Sequence, residues 1–396
     1  MDQAQQLEKE HHFQVYKRYP ITIDRGLGTR VWDTDGNEYL DILAGIAVNN
    51  LGHCHPNIVA AIQSQAEKLL HVSNFYYTEV QSEFVQRLSQ LSGLDRVFLC
   101  NSGVEAMEGC VKLARKWGHD HGKTGNIISL GKGFHGRSVT TITMSSENYQ
   151  KGFAPLPPGF EQSPFNDFEA LEKVVDENTI AIAFELIQGN SGVHIADKEF
   201  VQKVQKLCSD LNILLIIDEV QTGVARTGKF WAYEHYGIKP DIVAAAKALA
   251  GGIPIGAVMA KEEVASALSF GNHGTTFGGN PFAAAVGLAN LKTIEEDNIV
   301  QLAHEKGEFF MNLIREKTRH LDTVVDVRGM GLMIGVEFST PGRPVVEKMF
   351  EHKVLTNAAG GNVLRIVPPL LITKEEMETV VDVMVKCLEG SSTFKD

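Results

Sequence analysis

The sequence predicts an α/β protein in which a mainly parallel sheet lies between helices, with a smaller α+β unit built from both chain ends. Three observations carry that expectation. From about residue 95, short β-branched runs alternate with amphipathic helical patterns, the order that gives parallel strands joined by crossover helices. One run, "ILLIID" (213–218), starts with five successive aliphatic residues, as a strand buried on both faces must. After "GNPFAAAVGLANLKTI" the texture changes to helices mixed with short strands, which marks a second unit.

The elements follow in chain order. "TRVWDTDGNEYLDIL" holds two alternating stretches around Asp35-Gly36 and reads as a β-hairpin. In "HPNIVAAIQSQAEKLL", Pro56 suits the first turn of a helix. "TEVQSEFVQRLSQL" repeats apolar residues three and four apart and is a further helix. "RVFLC", "NIISL", "TIAIAFEL", "ILLIID", "DIVAAA" and "IGAVMA" read as strands, with "VEAMEGCVKLARKW" and "KEFVQKVQKLCSD" as helices. "RSVTTITM" is β-branched and is expected to be a strand as well. Beyond residue 300, two helices and the strands "VVDVRG", "MIGVEF" and "VLRIVP" are expected. The division that results is residues 1–50 and 300–396 in the smaller domain and 51–299 in the large one.

Composition limits the function classes. The 396 residues are 43% hydrophobic, and 49 acidic against 37 basic side chains leave a formal net charge of −12. That balance argues against a nucleic-acid or anionic-membrane surface. No apolar run approaches the roughly 18–20 residues of a membrane span. The opening "MDQAQQLEKEHH" lacks the basic-then-apolar pattern of a signal peptide. Cys54, Cys100, Cys110, Cys208 and Cys387 are scattered, odd in number and free of any C-x-x-C, as reduced thiols would be. A soluble cytoplasmic protein is expected.

Ligands of open parallel sheets sit beyond the carboxyl ends of the strands, and several such ends carry candidate chemistry. "ILLIIDEVQTG" runs straight into Asp218 and Glu219, acids that are costly to keep charged near a core unless a cation meets them. "CNSGVEA" places Ser102-Gly103 between strand and helix, where free N–H groups and the helix dipole suit a phosphate. An ordinary Ser N-cap with Glu105 in a capping box accounts for the same residues. "DIVAAAKALAGG" puts Lys247 at the end of a small, uncharged strand. Lost hydration there favours a neutral amine able to attack a carbonyl, although a lysine packing its stem and reaching solvent fits too. "GKGFHG" (131–136) matches G-x-G-x-x-G, but no helix and no suitably spaced acid follow, so the dinucleotide reading fails. "HCH" (53–55) has no further ligand cluster and reads as a loop leading into a helix rather than a metal site.

Taken together, a cleft-facing acid, a desolvated lysine and a phosphate cradle form the set that pyridoxal phosphate needs. The carboxylate keeps the pyridine nitrogen protonated, the lysine bonds the aldehyde carbon, and the cradle takes the phosphate. The chain resembles the class III (ω-amino) aminotransferases of the fold-type I pyridoxal phosphate group, and within them the enzymes acting on N-acylornithines. The resemblance runs from about Phe13 to Gly390 through "GHCHP", "NSGVEA", "FHGR", "IIDEVQTGVARTG", "AKAL", "GGIPIGA", "HGTTFGGNP" and "LRIVPPL".

The resemblance implies a seven-stranded-type sheet and a homodimer with a shared active site. It makes Lys247 and Asp218 catalytic, with Lys247 carrying the cofactor and shuttling the proton. Cofactor contacts would come from Ser102, Gly103, Val104, Phe134, Asp218, Glu219, Val220, Gln221 and Lys247, and from Thr276 of the neighbouring subunit. Substrate would be held by Arg137, Thr275 and a Glu185–Arg365 pair that opens for the second substrate. The implied reaction moves the δ-amino group of an N²-acylated ornithine to 2-oxoglutarate in arginine biosynthesis. Ornithine, 4-aminobutyrate and succinyl-diaminopimelate are alternative donors. Four departures stand out. Val104 and Met107 replace a usual Thr or Ala and a usual Asn, and "ELIQGNSGV" carries Leu186 for Pro and Asn190-Ser191 for Glu-Gly.

Overall fold

The computed structural model describes residues 3–390. The first two and last six residues, which belong to the chain-end segments assigned above to the smaller domain, lie outside the described residues. The strands are β1 (Ile23–Leu27), β2 (Arg30–Asp33), β3 (Glu38–Asp41), β4 (Arg96–Cys100), β5 (Ile127–Leu130), β6 (Phe160–Ser163), β7 (Ala181–Phe184), β8 (Ile187–Gln188), β9 (His194–Ile195), β10 (Leu214–Asp218), β11 (Ile242–Ala245), β12 (Gly256–Ala260), β13 (Val324–Met330), β14 (Met333–Phe338), β15 (Val354–Leu355), β16 (Asn357–Ala359) and β17 (Val363–Ile366).

The central sheet has seven strands in the order β4-β12-β11-β10-β7-β5-β6. β10 pairs in parallel with both β11 and β7, and β5 pairs in parallel with β6 and β7. Only β12 runs the other way, antiparallel to β11 and β4. The carboxyl ends of the six remaining strands therefore share one edge. The aliphatic runs are explained by their two destinations. Leu215 and Ile217 of β10 enter one core with Ile182 and Phe184 of β7, while Leu214 and Ile216 enter the other with Ala181 and Ala183. The helix Lys198–Leu211 seals the first core with Phe200, Val201 and Val204. The helix Gly103–Asp120 seals the second with Met107, Cys110 and Trp117. Each fully buried aliphatic side chain contributes roughly 1.5–3 kcal/mol, so no strand here tolerates alternation.

The hairpin around Asp35-Gly36 forms as β2 and β3. Asp33 ties the turn by accepting from the backbone N–H of Asn37 at 2.8 Å. β15 adds to β3 in parallel, joining the two ends of the chain in one sheet of order β1-β2-β3-β15. A further sheet, β13-β14-β17-β16, carries Arg365 on β17.

Three sequence expectations change. "RSVTTITM" is not a strand: Val139–Thr143 form a helix, because Ser138 and Thr141 close a capping box at its start. That local pattern of hydrogen bonds outweighs the weak preference of β-branched residues for strands. β6 at "FEQS" was not anticipated, since only Ser163 of its residues is buried and no run of apolar side chains marks it. Beyond residue 298 there are three helices of nine residues or more, Ile299–Thr318, Arg343–Glu351 and Lys374–Glu389, rather than two.

Candidate active site

Five strand ends converge on a single cleft. β10 ends on Asp218, β7 is followed by Glu185, β11 by Ala246 and Lys247, β4 by Asn101 and Ser102, and β5 by the glycine loop leading to Phe134 and His135. Lys247 is largely withdrawn from solvent and interacts electrostatically with Arg365, Asp218 and Glu185. Its backbone has φ +44°, a left-handed conformation that costs a non-glycine residue free energy and is kept where surrounding structure holds it. The sequence places lysine there regardless, which ties the position to its amine.

Asp218, 4% exposed, is held on two sides. Its Oδ2 lies 2.7 Å from His135 Nδ1, and its Oδ1 accepts from the backbone N–H of Val220 at 3.0 Å. Burial alone would lower the His135 pKa. The hydrogen bond and charge of Asp218, with Glu185 behind, outweigh it and raise the value overall. His135 was not singled out from the sequence. Its only signal was adjacency to Phe134 inside "GFHG", since the contact with Asp218 bridges 83 positions. Burial raises the Glu185 carboxyl to about 7, assisted by Asp218 and opposed by His135, the N–H of Phe134 and Lys247. Burial, then Arg365, lowers the Lys247 ammonium to about 8 against the pull of Asp218 and Glu185. The amine is thereby available at neutral to mildly alkaline pH as a nucleophile and proton carrier.

Above this floor lies an N–H cradle. Ser102 caps the helix Gly103–Asp120, its hydroxyl accepting from Glu105 N–H, so the N-cap reading holds and still leaves the helix start facing the cleft. At Gly103 a Cβ would stand 2.7 Å from Val220 Cγ1. The loop after β10 therefore packs directly on the helix start, and only glycine fits. Val104 in turn packs against Gly136, where a Cβ would meet its Cγ2 at 2.8 Å. Phe134 stands edge-on to Tyr149 with ring centroids 5.1 Å apart. Gln221 lies against Gly189. A charge-secured carboxylate, a buried amine beside it, an aromatic wall and a helix start reachable only across a glycine fit pyridoxal phosphate.

Other expected residues divide. Arg137 is exposed and stacks over Tyr149, its guanidinium carbon 4.4 Å from the ring centroid. Thr275 accepts from Asn101 Nδ2 at 3.1 Å, next to Ser102. Thr276 is exposed on the same loop and is not brought into this chain's cleft. Glu219 turns elsewhere. Its carboxylate accepts from the Thr222 hydroxyl and from Tyr233 N–H at 3.0 Å, so its side chain braces the following loop instead of a cofactor. The expected Glu185–Arg365 ion pair is not formed among the described residues. Glu185 accepts from Phe134 N–H at 2.9 Å. Arg365 instead bonds the Asn190 Oδ1 at 2.7 Å, Asn357 Oδ1 at 3.2 Å and Gln221 Oε1 at 3.3 Å. Asn190 occupies the acceptor position with a neutral amide, which removes the need for the glutamate. The "HCH" histidines are spent locally: His53 pairs with Asp41 at 2.7 Å, and His55 caps the helix Pro56–Ala66.

The family model for aminotransferase class-III matches residues 13–388. The chain is 49% identical over 388 residues to the acetylornithine aminotransferase of Methanocaldococcus jannaschii, covering 96% of each. The ornithine aminotransferase of Toxoplasma gondii ME49 superposes with a TM-score of 0.95 at 34% identity, over 99% of this chain and 96% of that one. The acetylornithine aminotransferase of Elizabethkingia anophelis superposes with a TM-score of 0.87 at 35% identity, covering 98% of each. The chain belongs to the class-III aminotransferases, which depend on pyridoxal phosphate.

Proposed function

We propose that this class-III aminotransferase moves the δ-amino group of N²-acetylornithine, or its succinyl counterpart, to 2-oxoglutarate, as a cytoplasmic step of arginine biosynthesis. The observation that carries the reading is the gathering of Lys247, Asp218 and two arginines, Arg137 and Arg365, around one cleft. The single α-carboxylate of N²-acetylornithine needs one cation and a dicarboxylate acceptor needs two. The names of the most similar curated relatives support the acyl donor.

In this reading bound pyridoxal phosphate supplies the electron sink that stabilises negative charge on the amine-bearing carbon. Asp218, held in place by His135 and the Val220 N–H, would face the ring nitrogen and hold its proton. Lys247 Nζ takes the proton from the amine-bearing carbon, and an ammonium pKa near 8 lets it return that proton within one cycle. Phe134 would back the ring, Gln221 would face its hydroxyl side, and Gly103 and Val104 would offer N–H groups to the phosphate. Arg137 takes the donor's carboxylate as a bidentate cation.

The functional unit in this reading is a homodimer, with Thr276 of the partner subunit completing the phosphate site. Support comes from the largely exposed aromatics Phe75, Tyr76, Tyr77, Phe270 and Phe277, the first three following Asn74, which bonds the loop that carries Phe277. Exposed apolar area of this kind marks an interface.

Steady-state rates on N²-acetylornithine, N²-succinylornithine, succinyl-diaminopimelate, ornithine and 4-aminobutyrate test the assignment. An acylated ornithine should be turned over with the highest kcat/KM. A preference for free ornithine would move the chain to the activity named for its structural relatives in Toxoplasma and Plasmodium.

A further inference from the structure

We propose that Asn190 is a specificity-determining residue: it accepts from the Arg365 guanidinium without neutralising it, and so leaves this cation for the carboxylate of a dicarboxylic acceptor. This deepens the reading given above and rests on it for the identity of the acceptor.

Arg365 is 3% exposed, yet every acceptor it bonds is neutral: the side-chain oxygens of Asn190, Asn357 and Gln221 and the carbonyl of Gly189. No carboxylate lies within ion-pair distance of it among the described residues. Glu185 and Tyr149 face it from a distance, and Lys247 faces it as a like charge. Glu185 does not replace a bonded partner, since its carboxyl is buried, is turned to accept from Phe134 N–H and makes no hydrogen bond to Arg365 among the described residues. A buried cation without a counter-ion gains more from an incoming anion than one already paired.

Asn190 is also placed to yield. It lies half-buried beside Gly189 and Ser191, on the wall of a cavity of about 780 Å³ that Tyr149, Ser146, Gly360 and Asn362 also line. Tyr149 is the ring that carries Arg137 and Asn190 bonds Arg365, so a direct partner of each arginine stands on the wall of this one cavity. A substrate carboxylate arriving from it can displace one neutral amide hydrogen bond instead of breaking an ion pair. At this position the related motif has glutamate, so the sequence itself exchanges a charged side chain for a neutral one at the contact with Arg365.

Asn190→Asp tests this most cleanly, because it is isosteric and adds only charge. The holoenzyme is titrated calorimetrically with glutarate, a five-carbon dicarboxylate without a reactive carbonyl, and KM is measured for both substrates. Asn190→Asp is expected to weaken glutarate binding and to raise the acceptor's KM, each about ten-fold or more. The donor's KM should stay within about three-fold or fall, because Arg365 no longer repels the incoming amine. Asn190→Ala should change glutarate affinity by less than about three-fold, as water can take the lost acceptor's place. Unchanged glutarate affinity in Asn190→Asp, or an equal loss in Asn190→Ala, overturns the proposal. If acetylornithine is not turned over but the glutarate pattern appears, the donor assignment fails and the role of Asn190 stands.

Discussion

Arg226 and Arg365 are both buried arginines without a carboxylate partner, and they are built for opposite ends. Arg226 is fully buried, and its Nη1 donates to the main-chain carbonyls of Leu332 at 3.0 Å and Pro368 at 2.6 Å, while Nη2 bonds Asn50 Oδ1. Those acceptors cannot leave. The carbonyls precede β14 and follow β17, and Asn50 is itself anchored through Nδ2 to Val224 O at 2.7 Å. Arg365 is met mainly by side-chain amides, one of which lines a cavity. The same cation is a clasp where its partners are mainly backbone and, in the reading proposed above, a binding group where they are mainly side-chain amides. Burial of charge alone does not separate the two; the identity of the acceptors does.

The largest effect expected from breaking this contrast is on stability. Arg226→Met strands two buried carbonyls and an amide oxygen, and should cost about 3–5 kcal/mol in chemical denaturation, with kcat per folded molecule little changed. A loss below about 1 kcal/mol would mean that Arg226 is not a clasp.

Arg365→Met should do the reverse. Folding stability should change by no more than about 1 kcal/mol, since an uncompensated charge is removed. Turnover with 2-oxoglutarate should fall about a hundred-fold, equal to roughly 3 kcal/mol of transition-state binding. The same variant sharpens the electrostatics of the cleft. Arg365 helps to hold the Lys247 ammonium at about 8. The pH at which the apo-protein captures pyridoxal phosphate half-maximally should therefore move upward in Arg365→Met, read from the growth of the cofactor's visible absorption.

A smaller effect is expected at His135. Its pKa is raised in the fold despite burial, through Asp218 and Glu185. A raised value means that the folded protein holds the proton more tightly than the unfolded chain. The stability that His135 adds through its charge is therefore complete below pH about 6.5 and declines as pH rises through the folded value. The difference between wild type and His135→Asn, from urea denaturation at several pH values, should shrink in that direction. A constant difference across pH would mean that the pair acts through hydrogen bonding alone.

What could be read from the sequence follows the range of the interactions. The strands β7, β10, β11 and β12 declare themselves because burial on both faces forces a nearly uninterrupted run of apolar and small residues. Asp218 and Lys247 were visible because each breaks such a run with a charge. The helix at Val139–Thr143 was misread because its cause, two hydroxyls closing a capping box, is a hydrogen-bond geometry rather than a hydropathy pattern. His135 and Asn190 are of a third kind. Their partners are 83 and 175 positions away, and no local pattern reports a contact that only folding creates. Glu219 shows the converse, since adjacency to Asp218 suggested a shared task, whereas successive side chains at a strand end point to opposite sides.

The contact of Gly103 with Val220 carries one last implication. The loop holding the carboxylate and the turn opening the phosphate helix touch through a methyl group against a bare α-carbon. If these two elements hold opposite ends of the coenzyme as proposed, the contact sets the shortest distance between them. Shaving the methyls in Val220→Ala should let the jaws close slightly and admit coenzyme analogues that the native spacing turns away.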